Sequence, residues 1–392
     1  MKNFSNYNDY SLKDDLHFES KAVHGALGND PMTGAVSFPI YQTATFRHKA
    51  LGESTGYDYS RLQNPTRQEL ERTMAILEGG VEGFAFASGQ AANMCVFDLL
   101  SPGDHVILSD DIYGGTYRIG EDIFGKFGIT FTYIDMSDLD LLKKTITEHT
   151  KMIFIETPTN PMMKVADIAE ISKIAKQHDI LFTVDNTFLT PYFQKPLLLG
   201  ADIVVHSGTK YIGGHNDTIA GIVVVKTKEL AERMRLEMKS QGNMLASLDS
   251  WLLLRGLKTL PLRMDRHNEN AMKVANWLRG QKKVKKVYYA GFEDTKGYEI
   301  MKKQTTGFGG MISFTVDSVD TVRQILSKVD MIMFAESLGG TETLITYPTT
   351  QTHESIPTDI KERLGITDTF LRLSVGIEHI DDIIKDLEQA LA

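Results

Sequence analysis

Cysteine is nearly absent from this chain of 392 residues; Cys95 is the only one. A single thiol excludes an intramolecular disulfide framework and a cysteine-based zinc centre. It sits in the apolar run Met94-Cys95-Val96-Phe97, the setting of an inert core side chain. Positive charge is also scarce. Lys and Arg number 42 against 51 Asp and Glu, which gives a net charge of −9. No Lys/Arg run suggests a nucleic-acid footprint, so no nucleic-acid partner is expected. No apolar segment approaches the roughly 20 residues of a membrane span, so no membrane partner is expected either. The opening stretch MKNFSNYNDYSLKDDLHFES is polar and acidic without a hydrophobic centre. It does not read as a signal peptide, and a cytoplasmic location is the expectation. Internal repeats and low-complexity tracts are missing too. What remains is ordinary globular composition, 42% hydrophobic and 24% charged, in a chain long enough for two or three domains.

Residues 16–63 read as irregular, and the first fifteen or so as a loose arm. From about residue 64 helices alternate with short apolar strands. Arg67–Glu78 is helical by spacing and ends at Gly79-Gly80. Strand-like runs follow at Gly83–Ala87, His105–Leu108, Thr130–Ile134, Met152–Ile155, Leu181–Val184 and Ile203–Val205. Amphipathic stretches such as Ile168–His178 lie between several of them. This alternation predicts an α/β domain with a mainly parallel sheet. Leu230–Ser240, Leu245–Leu260 and His267–Arg279 read as long helices. Gly310–Val316 reads as a strand and Ile380–Leu391 as a closing helix. The expected organisation is an arm over 1–63, a large α/β domain over 64–255 and a smaller α/β domain over 256–392.

Ligands of open α/β sheets bind beyond the carboxyl ends of the strands, and there the sequence is informative. Ile203–Val205 runs into His206-Ser207-Gly208-Thr209-Lys210. Hydroxyls beside a lysine suit a cofactor with both a phosphate and a carbonyl. Pyridoxal 5′-phosphate (PLP) has both, and is held through a lysine Schiff base. Most lysines are merely solvated charges, so the string needs company. It has it. The first strand leads to Ser88-Gly89-Gln90, a glycine turn opening a helix whose free N–H groups favour an anion. His105–Leu108 leads to Tyr113-Gly114-Gly115, an aromatic able to lie flat on a ring. Met152–Ile155 leads to Glu156-Thr157-Pro158-Thr159-Asn160-Pro161, where prolines stiffen the loop carrying Asn160. Leu181–Val184 leads to Asp185, a carboxylate that is costly to bury unless paired. A protonated pyridine nitrogen is such a partner, and the pair would keep the ring a strong electron sink. In this order the parts make one PLP cradle. A metal site on His206, His215 and Asp217 lacks a standard ligand spacing.

Taken together the motifs resemble those of the Cys/Met-metabolism PLP enzymes, which include cystathionine γ-synthase, γ-lyase and β-lyase, methionine γ-lyase and the homoserine sulfhydrylases. The match spans nearly the whole chain, from Tyr57-Asp58-Tyr59-Ser60-Arg61 to Arg372-Leu373-Ser374-Val375-Gly376. It implies the fold type I PLP architecture, with a large seven-stranded, mainly parallel sheet and a smaller C-terminal α/β domain. It also implies a homotetramer built from catalytic dimers. Lys210 becomes the Schiff-base lysine, Asp185 the pyridinium partner and Tyr113 the ring stacker and proton shuttle. Ser88, Gly89, Gln90, Ser207 and Thr209 would hold the cofactor phosphate. Tyr59 and Arg61 would reach the phosphate of a neighbouring subunit. Arg372 would grip the substrate α-carboxylate, assisted by Asn160 and Ser337, with Thr352 nearby. Two positions depart from the common pattern: Gln90, where methionine or another apolar residue is common, and Gly208, where alanine is frequent.

Within the family, Glu336 matches a glutamate of γ-synthases and γ-lyases that faces a distal substrate ammonium. Arg118 fits the branch that handles cystathionine, where it can pair with a distal carboxylate. Gly115 stands where methionine γ-lyases place a reactive cysteine. The runs 213–217 and 345–353 resemble bacterial synthases and sulfhydrylases. The expectation is therefore γ-carbon chemistry on sulfur amino acids, with γ-synthase ahead of γ-lyase, and methionine γ-lyase or cystathionine β-lyase behind both. An aminotransferase or a non-catalytic relative of the fold are the readings from other classes.

Overall fold

The computed structural model describes residues 15–352, 354 and 357–392. The loose arm expected at the extreme N-terminus, and His353 of the run 345–353, fall almost wholly outside these. Seven strands form the larger sheet: β1 (Glu82–Phe86), β2 (His105–Ser109), β3 (Thr130–Ile134), β4 (Thr150–Glu156), β5 (Leu181–Asp185), β6 (Ile203–Ser207) and β7 (Gly221–Val225). Their order is β1-β7-β6-β5-β4-β2-β3. The five strands from β6 to β3 are parallel, and β7 is antiparallel to both its neighbours.

Side-chain alternation gives this sheet two apolar faces. Ile153, Ile155, Val184, Val204, Ile222 and Val224 join one core with the helices Pro65–Glu78, Ile168–Gln177 and Ser247–Leu257. Phe154, Val205 and Val223 join the other, with the helices Gly89–Phe97 and Lys228–Gln241. Burial on both faces is why these strands read as near-continuous apolar runs. Local signals set the helix ends. The Asn64 side chain accepts from the Thr66 and Arg67 N–H groups ahead of Pro65, and Gly79 closes the same helix at φ +76°.

A second sheet follows: β8 (Val284–Tyr288), β9 (Met311–Val316), β10 (Met333–Phe334), β11 (Leu344–Thr346) and β12 (Phe370–Ser374), ordered β10-β11-β12-β9-β8. Its own core includes Phe314, Leu371 and Leu373 with the helices Val319–Lys328 and Ile380–Leu391. The helix Leu260–Arg279 serves both bodies. Leu260 and Met264 pack into the first core, Ala271 to Leu278 into the third.

Two sequence expectations change. The helix expected over Leu245–Leu260 stops at Leu257, and Pro261 opens a separate 20-residue helix at Leu260. A proline suits the first turn, where its missing N–H costs nothing. Strands β4, β5 and β6 also run one or two residues further than their apolar runs. Glu156, Asp185 and Ser207 are therefore last residues of strands and not loop residues.

Candidate active site

The carboxyl ends of β2, β4, β5 and β6 open into one cavity of about 250 Å³. Ser88, Gly89, Gln90, Tyr113, Asn160, Asp185, Ser207, Thr209, Lys210, Glu336, Ser337, Thr352 and Arg372 all line it. Residues scattered over 285 positions of sequence thus meet around one lysine. Tyr59, Arg61 and Arg118 do not line it. The Arg61 guanidinium donates to the Lys239 carbonyl at 2.7 Å and lies over the Tyr59 ring. Arg118 is exposed at the end of the short helix Gly114–Arg118. Within one chain, then, these three do not join the site.

At one end of the cavity the geometry is that of an anion cradle. Ser88 caps the helix Gly89–Phe97, its Oγ accepting from the Ala91 N–H at 3.0 Å. A Cβ on Gly89 would come within 3.1 Å of the Ser207 Cβ, a tight contact, so glycine lets these two backbones approach without a shift. Thr209 Oγ accepts from the Ala220 N–H at 3.0 Å, which fixes the turn leading to Lys210. At Gly208 an alanine Cβ would meet the terminal Cδ2 methyl of Leu253 at 2.8 Å and Ala220 Cβ at 3.1 Å, contacts that a small shift of the leucine side chain relieves.

Asp185 lies deeper. Its Oδ1 accepts from both the N–H (3.0 Å) and the hydroxyl (2.6 Å) of Thr187. Thr187 Oγ in turn accepts from the Ser207 N–H at 2.8 Å. Burial pushes the Asp185 carboxyl above its usual range, while the two Thr187 bonds and His206 behind the sheet pull it down. Such a group needs a cationic partner to ionise fully. His206 itself faces Glu78, at 2.6 Å in full burial, and the His215 Nδ1–H donates to the Gly213 carbonyl. His206 therefore turns away from the face where Asp185 stands.

Lys210 and Arg372 both reach Ser337. Lys210 Nζ donates to Ser337 Oγ at 2.8 Å, and Ser337 holds φ +105°. That conformation is strained for a side-chain-bearing residue and is a mark of functional sites. Burial first, then the Arg372 charge, lowers the Lys210 amine to about 8, against a smaller opposing effect of Glu336. Arg372 is 1% exposed. Its guanidinium donates to Asn160 Oδ1 (2.9 Å), the Ser337 carbonyl (3.0 Å) and Thr346 Oγ (3.3 Å). Its Nε–H is buried without a partner among the described residues. A donor left open on a fully buried cation is what an incoming carboxylate would satisfy.

These features fit PLP. The cradle could take a phosphate, Asp185 could face a pyridinium, Tyr113 could cover the ring, and a lysine amine of lowered pKa could attack a carbonyl carbon. The sequence missed two of the contributors. Thr187 and Glu156 both line the cavity. Glu156 ends β4 and Thr187 lies two residues past the end of β5, and only the folded structure brings both side chains to the cavity.

A fold of this kind with such a site defines a PLP-dependent amino-acid enzyme. The profile of the Cys/Met metabolism PLP-dependent enzymes matches residues 19–392, and the chain belongs to that family. Three relatives show the spread of activities around it. A Lactococcus lactis subsp. cremoris protein named cystathionine beta-lyase is 51% identical over 95% of this chain and 98% of its own length. A Bacillus subtilis protein named cystathionine gamma-synthase/O-acetylhomoserine (thiol)-lyase is 48% identical over 96% of both chains. The crystal structure of a Lactobacillus plantarum cystathionine gamma-lyase complexed with L-serine superposes with a TM-score of 0.94 at 47% identity, covering 96% of this chain and 98% of that one.

Two expected outcomes follow from the geometry. An amine of pKa about 8 is mostly protonated at lower pH and only the free amine attacks a carbonyl. Capture of PLP by the cofactor-free protein should accelerate about tenfold per pH unit below 8 and level off above it. Stopped-flow absorbance of the lysine-bound cofactor measures this; a rate still climbing towards pH 10 would mean that Lys210 is an ordinary lysine. The second concerns Gly115. A Cβ there would run into the Gln90 amide and come within 2.6 Å of Tyr113 Cε1. Gln90 thus fills the space that a side chain at 115 would take. Gly115→Ala should lower kcat by about tenfold through displacement of the Tyr113 ring, the scale of overpacking a filled site. Adding Gln90→Ala removes the Gln90 clash but not the approach to Tyr113 Cε1, so most of the loss should persist.

Proposed function

We propose that this chain breaks the C–S bond of cystathionine at the γ-carbon, with cysteine, 2-oxobutanoate and ammonia as products. The observation that carries the reading is the placement of Glu336. It stands on the cavity wall with Lys210 and Arg372, exposed and free to meet a distal ammonium while Arg372 holds the α-carboxylate. A substrate with charged groups at both ends fits between them.

When bound, the cofactor supplies the electron sink that stabilises negative charge at the substrate α-carbon. The protein residues do the rest. Arg372, with Asn160 behind it, orients the carboxylate so that the α-proton faces Lys210. Lys210 Nζ takes that proton and moves a second one at Cβ, a role suited to an amine whose pKa lies near neutrality. Tyr113 covers the ring and gives a proton to the departing sulfur. Tyr59 and Arg61 complete the phosphate cradle of a neighbouring subunit in a homotetramer. Tyr59 is 43% exposed, and other apolar side chains of the N-terminal segment, Val36 and Leu51, are bare in the single chain. Supporting this is their position outside the chain's own cavity.

The sequence alone put γ-replacement ahead of cleavage. The relative named a gamma-lyase at 47% identity supports cleavage at the γ-carbon; the one named a beta-lyase at 51% supports cleavage too, but at the β-carbon. Formation of cystathionine from an O-acyl-homoserine and cysteine is the second reading, supported by the relative that carries the γ-synthase name. Product analysis separates these. The purified enzyme is given cystathionine, and separately O-acetyl- or O-succinyl-homoserine with cysteine. Cysteine and 2-oxobutanoate from cystathionine support the proposal. Homocysteine and pyruvate would place the cleavage at the β-carbon and sink it. Cystathionine made from the homoserine ester faster than it is cleaved would favour the second reading.

A further inference from the structure

Strands β4 and β5 end side by side, with Glu156 in register with Asp185. Parallel neighbours in register present their side chains to the same face, and both line the cofactor cavity. A third carboxyl, Asp111, is fully buried just beyond β2. Three carboxyls therefore crowd the strand ends, and neighbours of like charge cannot all ionise in a buried site.

The hydrogen bonds divide them unequally. Asp185 receives two donors from Thr187, and such bonds favour a carboxylate. Asp111 accepts from the Thr159 hydroxyl, and the Lys164 ammonium stands nearby. Glu156, 5% exposed, accepts the Tyr113 N–H on Oε2 at 3.2 Å. The cavity's arginine has its guanidinium engaged with Asn160, Ser337 and Thr346. Burial, then the charges of Asp185 and Asp111, push the Glu156 carboxyl well above the usual range, against smaller opposing effects of the Tyr113 N–H and the Arg372 charge.

We propose that Glu156 is a positioning residue which stands in the cofactor site as a neutral acid. It leaves the negative charge opposite the pyridine nitrogen to Asp185 alone, and it anchors the backbone of Tyr113 so that the ring lies against the cavity. The inference rests on the roles given above to Asp185 and Tyr113. A second full charge beside Asp185 would also pull on the pyridine proton. A neutral neighbour leaves that proton to a single partner.

Glutamine has the shape of a neutral glutamic acid and none of the charge of a carboxylate, so it separates the two states. In the full-length, PLP-loaded protein, Glu156→Gln should bind PLP within about twofold of the parent. It should also keep the absorbance and visible circular dichroism of the lysine-bound cofactor across neutral pH. Glu156→Ala leaves the Tyr113 N–H without its acceptor. It should weaken PLP binding about ten- to hundredfold and reduce the dichroism that reports ring stacking. The infrared C=O stretch of a protonated carboxyl should be present in the parent and lost in Glu156→Gln, a readout that does not depend on the alanine variant folding. Loss of PLP affinity or a shifted spectrum in Glu156→Gln would overturn the proposal, as would an alanine variant indistinguishable from the parent or the absence of that infrared band. Asp185→Asn is the control. If it leaves PLP binding unchanged, the reading of Asp185 fails, and not the reading of Glu156 alone.

Discussion

Lys210→Ala should reduce turnover of cystathionine by roughly 10⁴-fold, because one side chain carries two roles. It anchors the cofactor covalently, and it is the amine that moves protons at the substrate carbons. The structure offers no ready substitute. The other cavity residues that could exchange a proton are placed for other tasks: Tyr113 at the ring face, Glu336 out at the wall, and Asp185 and Glu156 at the strand ends. The bond to Ser337 Oγ at 2.8 Å fixes where the amine waits. The substitution removes an amine that burial has already made poorly suited to charge. Folding should therefore survive, and thermal unfolding of the cofactor-free forms should be similar. PLP should still bind through its phosphate cradle and Asp185, but without the absorbance of a lysine-bound cofactor. Steady-state rates and that spectrum check both parts. An alanine variant that turned over at the parent's rate would remove Lys210 from the chemistry altogether.

How far the sequence reached depends on the kind of contact. The cradle was legible because each of its residues lies within a few positions of a strand end, and strands announce themselves as apolar runs. Ser207, Thr209 and Lys210 follow Ile203–Val205 directly, and Asp185 follows Leu181–Val184. Arg372 was a different matter. It is a buried cation in the middle of β12, flanked by Leu371 and Leu373, and nothing local distinguishes it from an edge-strand arginine. Only family resemblance pointed to it. Tyr59 and Arg61 are the extreme case, since their proposed work lies on another copy of the chain.

What stayed hidden was set by partners distant in sequence. Glu156 and Asp185 are 29 positions apart and become neighbours only through the β4–β5 register. The relation between Gln90 and Gly115 is likewise a matter of space. The sequence showed an unusual residue at 90 and an empty side chain at 115; the structure shows that one fills the place of the other. Strand β7 was missed for a simpler reason. Its run Gly221–Val225 follows a polar loop closely and enters the sheet antiparallel, against the alternating pattern that revealed the others.

Arg372→Lys keeps the charge and should still cost roughly 10²- to 10⁴-fold in kcat/KM. The argument is geometric. The guanidinium reaches Asn160, Ser337 and Thr346 at once and keeps its Nε–H for an incoming carboxylate. An ammonium is a single point with three donors and cannot hold that fork. Losing one side of a buried, hydrogen-bonded charge pair costs about 3–5 kcal/mol, which is roughly that factor in rate. The loss should fall mainly on KM, because the carboxylate is bound before and during the chemistry. The lysine-bound cofactor should keep its absorbance, since Arg372 is assigned to the substrate and not to PLP. A comparison substrate makes the test specific. An amine that forms the same linkage with the cofactor but lacks the α-carboxylate should react with parent and variant at similar rates. If Arg372→Lys slowed both alike, the arginine would be holding Asn160 and the Ser337 backbone in place, and the carboxylate would have to be gripped elsewhere.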